Sequence, residues 1–162
     1  MDVFQEAEML RKVPFFGGLD PAKLKLLAFT SRALRFASGE NLMRAGELAD
    51  SAYVILEGEV EILGETSAGE FVVAVQGRNA LIGEMGVIMN APRTATVRAK
   101  DAVHALRISD DVFLRLLTEN PDCALHVMRV LSTRLSASTR EMQALKGQLQ
   151  AAQSAPGGGA AA

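Results

Sequence analysis

Residues Gly83 to Lys100 read GEMGVIMNAPRTATVRAK. The stretch opens on a glycine–glutamate pair, runs on through small and apolar residues without a charge, and then gives Pro92, Arg93, Thr94 and Ala95 before a β-favouring run. GEMGVI lacks the two-residue alternation of a strand and predicts a single helical turn inserted between strands. Such a turn presents free N-terminal amides over Gly83, Glu84, Met85 and Gly86, with the glycines permitting close approach, and so offers an anion site. Arg93 supplies a forked cation suited to phosphate oxygens, and Glu84 can accept a hydrogen bond from a sugar hydroxyl. Together these describe a phosphorylated sugar as ligand. The same residues also fit a plain structural role, with Glu84 as a dipole-stabilised helix-start acid and Arg93 as a surface residue after a proline turn. Spacing alone leaves both open.

Outward from that stretch, residues 31–109 are punctuated by Gly39, Gly46, Gly58, Gly64, Gly69, Gly77 and Gly83. Between the glycines lie the short β-favouring runs ALRF, AYVIL, VEIL, FVVAV, TATVRA and VHALRI. Strands of four to six residues at regular turn spacing predict an antiparallel, jelly-roll-like β-barrel, and no long helical pattern interrupts them as a parallel βαβ sheet would require. The fold class is therefore mainly β with flanking helices.

The flanks are helical. In residues 1–30, Val3, Ala7 and Leu10 fall at helical spacing up to Pro14, and Asp20–Pro21 is an N-cap followed by a first-turn proline that restarts the helix. Across residues 110–153, Ser109 is an N-cap before DDVFLRLL, and Asn120–Pro121 repeats the cap-plus-proline signal before one long helical pattern. Counting sevens from Met128 places Met128, Leu135, Met142 and Leu149 at one seam position and Leu131, Ser138, Leu145 and Ala152 at the other. An apolar seam broken only by Ser138 is the pattern of a coiled coil, and it predicts a homodimer through this helix, parallel or antiparallel. The bland reading is one amphipathic helix packed on its own barrel. Residues 154–162, SAPGGGAAA after Gln153, are low-complexity and read as a disordered tail.

Composition narrows the function. The chain has 162 residues, a formal net charge of −2 and one cysteine, Cys123. No basic excess is present to wrap a nucleic acid, so no DNA partner is expected. No apolar run approaches the ~20 residues that cross a bilayer, and the acidic, amphipathic start is not a secretory signal, so a cytoplasmic location without a membrane partner is expected. His104 in a strand and His126 on the long helix read as packing or surface residues, Cys123 as an inert thiol, and Arg129, Arg134, Arg140 and Lys146 as a solvated helix face. Paired-histidine metal spacing, a serine elbow and a Walker loop are all missing, so neither an enzyme, nor a metal, nor a resident cofactor is expected.

The segment Gly83-Glu84-Met85-Gly86 through Pro92-Arg93-Thr94-Ala95-Thr96-Val97 resembles the phosphate-binding cassette of the cyclic nucleotide-binding domain family, of the catabolite activator protein and kinase regulatory subunit type. Gly46, the AYVILEGEVEI run with Gly58, and the helical flanks extend the likeness over Val13 to Glu141. The resemblance implies that Glu84 takes the ribose 2′-hydroxyl and Arg93 the exocyclic phosphate oxygen, with the amides of Gly83 to Gly86 along the phosphate. Thr94 and Ala95 would sit beside phosphate and base, and Val73 or Leu81 against the base. Thr94 is compatible with cyclic GMP, whereas TRLSASTREM resembles the stretch where Ser138 and Thr139 would meet adenine, so cyclic AMP is favoured. Without ligand, Arg93 is expected to lack an anionic partner. The activator type continues past its long helix into a helix-turn-helix, whereas this sequence departs from it there. The expectation is therefore a receptor in stand-alone form without a helix-turn-helix, acting on a separate, unknown protein effector, or else a regulatory fragment of something longer. The alternative is a dimerisation module whose pocket is degenerate or takes a cyclic dinucleotide.

Overall fold

In the computed structural model, which describes residues 2–154, the chain divides into two units after Cys123. The first unit opens with α1 (Val3–Arg11), a 3₁₀ turn (Pro14–Phe16) and α2 (Pro21–Thr30). Eight strands follow: β1 (Arg32–Phe36), β2 (Asn41–Met43), β3 (Ser51–Glu57), β4 (Val60–Thr66), β5 (Gly69–Gln76), β6 (Leu81–Ile82), β7 (Thr96–Ala99) and β8 (Val103–Ser109). The six-residue α3 (Glu84–Met89) lies between β6 and β7, and α4 (Asp110–Glu119) leads into α5 (Pro121–Ser154).

The strands form two four-stranded antiparallel sheets, ordered β1-β8-β3-β6 and β2-β7-β4-β5. This is the antiparallel jelly-roll arrangement with flanking helices that the glycine-spaced runs predict. The two strands absent from that reading, β2 and β6, have three and two residues, too short to show an alternation. β3 is buried along six consecutive positions because both its faces are covered. Tyr53 and Ile55 join Leu42, Met43, Val60, Ile82, Val97 and Val103 in the cluster between the sheets. Ala52, Val54 and Leu56 alternate to the other face, where α4 packs on β3 and β8. Phe15 of the 3₁₀ turn stacks on Phe113 of α4 at 5.9 Å between ring centroids, closing the helical layer.

The caps follow the sequence in part. Asp20 accepts the Lys23 amide at 2.9 Å with Pro21 in the first turn, and Asp2 with Gln5 forms a capping box at α1 that the spacing argument overlooked. Ser109 stands at the N-cap of α4 but makes no side-chain cap bond; the Asp110 amide instead donates to the Asp50 carbonyl at 2.9 Å. Asn120 closes α4 with its side chain, whose amide donates to the Leu116 carbonyl at 2.9 Å while its oxygen accepts Lys23 Nζ at 2.7 Å.

The second unit is the continuation of α5. This helix has 34 residues, about 50 Å of length, and every described position from Ser132 onward is exposed. Ser154, assigned from the sequence to the tail, is its last residue; the rest of the expected tail lies outside the described residues.

His104 sits on β8 opposite Arg35 of β1 and Glu57 of β3, only 4% exposed, with no hydrogen-bond partner at Nδ1. Burial holds its pKa below the ordinary histidine value, Arg35 adds to the effect and Glu57 opposes it. A folded-state pKa below the unfolded one means that the neutral ring is favoured. The associated stability is complete above about pH 6.5 and is lost as pH falls below that value. Urea midpoints compared at pH 7.5 and 5.5 should drop more for the natural chain than for His104→Leu.

Candidate functional site

The predicted stretch folds as a helical turn braced from behind. Gly83 caps α3 with φ +81°, in the left-handed region that glycine occupies without strain. A Cβ there would stand 2.6 Å from Arg93 Nη1 and 2.7 Å from Met43 Cε. Gly86 lets α3 approach the β2–β3 loop, since its Cβ would lie 2.6 Å from that of Ala49. That loop is stitched to Arg93 through the backbone. The Gly46 amide donates to the Arg93 carbonyl and the Arg93 amide to the Glu47 carbonyl, each at 2.8 Å. The Ala45 amide also donates to Thr96 Oγ1 at 3.0 Å.

Both ends of the predicted acid–base pair are buried, Glu84 at 3% exposure and Arg93 at 6%. A surface role for Arg93 is thereby set aside, while Glu84 does stand in the first turn of α3, as a helix-start acid would. Arg93 Nη1 donates to the carbonyl of Gly83, adjacent to Glu84 in the chain, at 2.8 Å. Its Nη2 donates to the Ser51 carbonyl at 2.6 Å and to Ser51 Oγ at 3.2 Å. The carboxylate of Asp50 stands 3.8 Å from the same nitrogen. The expectation that Arg93 lacks an anionic partner without ligand is therefore corrected. The guanidinium reaches back 42 residues to the start of β3, a pairing that no local signal in the sequence announces. Burial pulls its pKa below the ordinary arginine value and Asp50 partly restores it; the group stays protonated regardless.

The remaining predicted residues are distributed around this centre. Met85 and Thr94 are exposed and Ala95 half-buried. Val73 is 60% exposed at an irregularity of β5, where the register passes from Ile62–Ala74 to Leu63–Val72 and leaves Val73 unpaired; bulges of this kind re-aim a side chain. Leu81 is half-buried on β6 opposite Val54. Ser138 and Thr139 are exposed on α5, in the second unit. A recess of about 350 Å³ runs along β2 from Gly39 to Glu47, and none of the predicted site residues lines it. Cys123 is buried, with its thiol pKa raised by burial and by Asp122, the opposite of an activated helix-start thiol. Among the described residues no group of three or more His, Cys, Asp or Glu could hold a metal ion, and no helix is long and apolar enough to cross a membrane.

Comparison with known proteins matches residues 33–120, more than half of the chain, to the cyclic nucleotide-binding domain. The chain is 24% identical over 136 residues to a CRP-like cAMP-activated global transcriptional regulator of Mycobacterium tuberculosis, covering 83% of this chain and 61% of that protein. It is 32% identical over 111 residues to the cAMP-dependent protein kinase regulatory subunit of Mycosarcoma maydis, covering 68% of this chain and 20% of the subunit. The chain thus spans about three fifths and one fifth of the lengths of these two relatives. Among solved structures it is similar to the sensor domain of the transcriptional regulator DNR from Pseudomonas aeruginosa, with a TM-score of 0.75, 28% identity, and coverage of 86% and 94%. The chain belongs to the cyclic nucleotide-binding domain family.

Gly83→Ala forces a left-handed conformation on an L-residue and pushes against Arg93, so it should cost about 1–3 kcal/mol of unfolding free energy. Urea denaturation of the variant beside the natural chain measures the loss.

Proposed function

We propose that this chain is a non-catalytic receptor for a 3′,5′-cyclic mononucleotide, cyclic AMP in preference to cyclic GMP, and that it passes the binding event to a separate protein partner from a cytoplasmic homodimer. The observation that carries the proposal is the buried Arg93 guanidinium beside the Gly83–Glu84 cap of α3, within a segment of the cyclic nucleotide-binding family. In this reading Arg93 exchanges neutral oxygens for the charged phosphate and Glu84 takes the ribose 2′-hydroxyl. The amides of Gly83, Met85 and Gly86 follow the phosphate, and Thr94 and Ala95 stand beside it. Val73, the more exposed of the two apolar candidates, packs on the base, and Ser138 with Thr139 supplies hydroxyls that favour adenine. The regulators among the relatives, described as cAMP-activated and cAMP-dependent, support the choice of nucleotide.

The homodimer rests on the seam of α5. Met128, Leu135, Met142, Leu145 and Leu149 are 56–69% exposed, a row of apolar side chains that a second helix would cover. Leu135→Asp together with Leu145→Asp should convert the dimer to a monomer, read by sedimentation velocity; a wild-type chain that sediments as a monomer would refute the dimer.

A second reading, a dimerisation module whose pocket is degenerate or takes a cyclic dinucleotide, is favoured by one observation: Arg93 already donates to three protein oxygens. Thermal melting beside cyclic AMP, cyclic GMP and a cyclic dinucleotide separates the two. Arg93→Lys keeps a cation but loses the fork, and calorimetry should show cyclic AMP binding weakened by about 2–3 kcal/mol. Equal binding by the variant would remove Arg93 from the site.

A further inference from the structure

Asp50 lies between two guanidiniums that hold it unequally. Arg107 Nη2, on β8, is 3.0 Å from Oδ2, whereas Arg93 Nη2 is 3.8 Å from Oδ1. Every hydrogen bond described for the Arg93 guanidinium goes to a neutral oxygen of Gly83 or Ser51. Arg93 is also the more deeply placed of the two, its side chain 4% exposed against 24% for Arg107. The buried cation therefore has the more distant share of the carboxylate, although a buried charge gains most from a close opposite one. The backbone leans the same way. The Asp50 carbonyl accepts the Asp110 amide at 2.9 Å, and Ser51 pairs with Ser109, which anchors the backbone toward the end of β8 and the start of α4. On the other side, Oδ1 accepts the Ser51 hydroxyl at 2.9 Å, and that hydroxyl in turn accepts Arg93 Nη2 at 3.2 Å, so the acid reaches Arg93 through a neutral bridge rather than a close ion pair.

We infer that Arg107 is a positioning residue for the anion site: by taking Asp50 as its close partner, it keeps that carboxylate from neutralising Arg93 and so leaves the buried guanidinium available to an incoming phosphodiester. The inference rests on the cyclic nucleotide reading above. Arg107 need not touch the ligand. Its effect passes through Asp50, which would turn to Arg93 if Arg107 were removed and would then have to be displaced by every ligand bound. A merely structural arginine would change stability without this dependence on the acid.

A double-mutant cycle by calorimetry with cyclic AMP tests it on the full chain. Arg107→Leu should weaken binding about tenfold, the scale of a close charge pair at a binding site. In an Asp50→Asn background the same substitution should change affinity by less than about twofold, since the interaction is a pairwise one that disappears with its partner. Arg107→Lys, which keeps the charge beside Asp50, should recover most of the affinity. Arg107→Gln serves in the cycle if the leucine variant does not fold, as judged by circular dichroism. An Arg107→Leu chain that binds as tightly as wild type overturns the assignment. So does an equal loss in both backgrounds, which would place Arg107 in direct electrostatic contact with the ligand. If the wild-type chain fails to bind any cyclic nucleotide in the same calorimeter, the receptor reading falls first and this inference with it.

Discussion

A guanidinium cannot shed its proton inside a protein, so burying Arg93 obliges the fold to surround it with acceptors. The acceptors come from distant parts of the chain: the Gly83 carbonyl at the cap of α3, and the carbonyl and hydroxyl of Ser51 at the start of β3. Its own backbone holds the β2–β3 loop through Gly46 and Glu47. One residue therefore ties together the helical turn, the loop behind it and the first residue of a strand buried on both faces. Gly83 and Gly86 are glycine for the same reason, because a methyl group at either would occupy space already taken by Arg93, Met43 or Ala49.

The price of that arrangement is a cation that shares the Asp50 carboxylate with a second guanidinium. Asp50 stands closer to Arg107 than to Arg93, and burial depresses the Arg93 pKa more than Asp50 restores it. An anion that offers Arg93 a full charge competes against neutral oxygens rather than against a tight salt bridge, which is the condition under which a small ligand can win. Any conformational response is limited to the difference in affinity between the two states, commonly 1–3 kcal/mol. The carbonyl of Asp50 accepts the first amide of α4, so a movement of that residue is felt at the end of β8.

The sheets were legible where the runs were long enough to alternate between turns. β1, β3, β4, β5, β7 and β8 all fall on such runs, while β2 and β6 are held by pairing with β7 and β3 and carry no pattern of their own. Caps were legible by residue type but less so by bonding. Asp20 caps as its position suggests, whereas Ser109 yields to a backbone carbonyl from across the fold and Asn120 turns its side chain back to α4. His104 could be placed in a strand, but its burial depended on which face of β8 the helical layer would cover.

Local order in the chain determined that a glycine–glutamate turn, a proline and an arginine would form one compact segment between strands, because turn preference and helix termination act over a few residues. It also determined the apolar seam of α5, a matter of period alone. Only the tertiary structure decided that Arg93 faces inward, that Ser51 and Asp50 meet it from 42 and 43 residues away, and that Arg107 shares the acid. Such contacts arise from strand order and sheet packing, which bring together positions whose sequence separation carries no periodic or compositional trace.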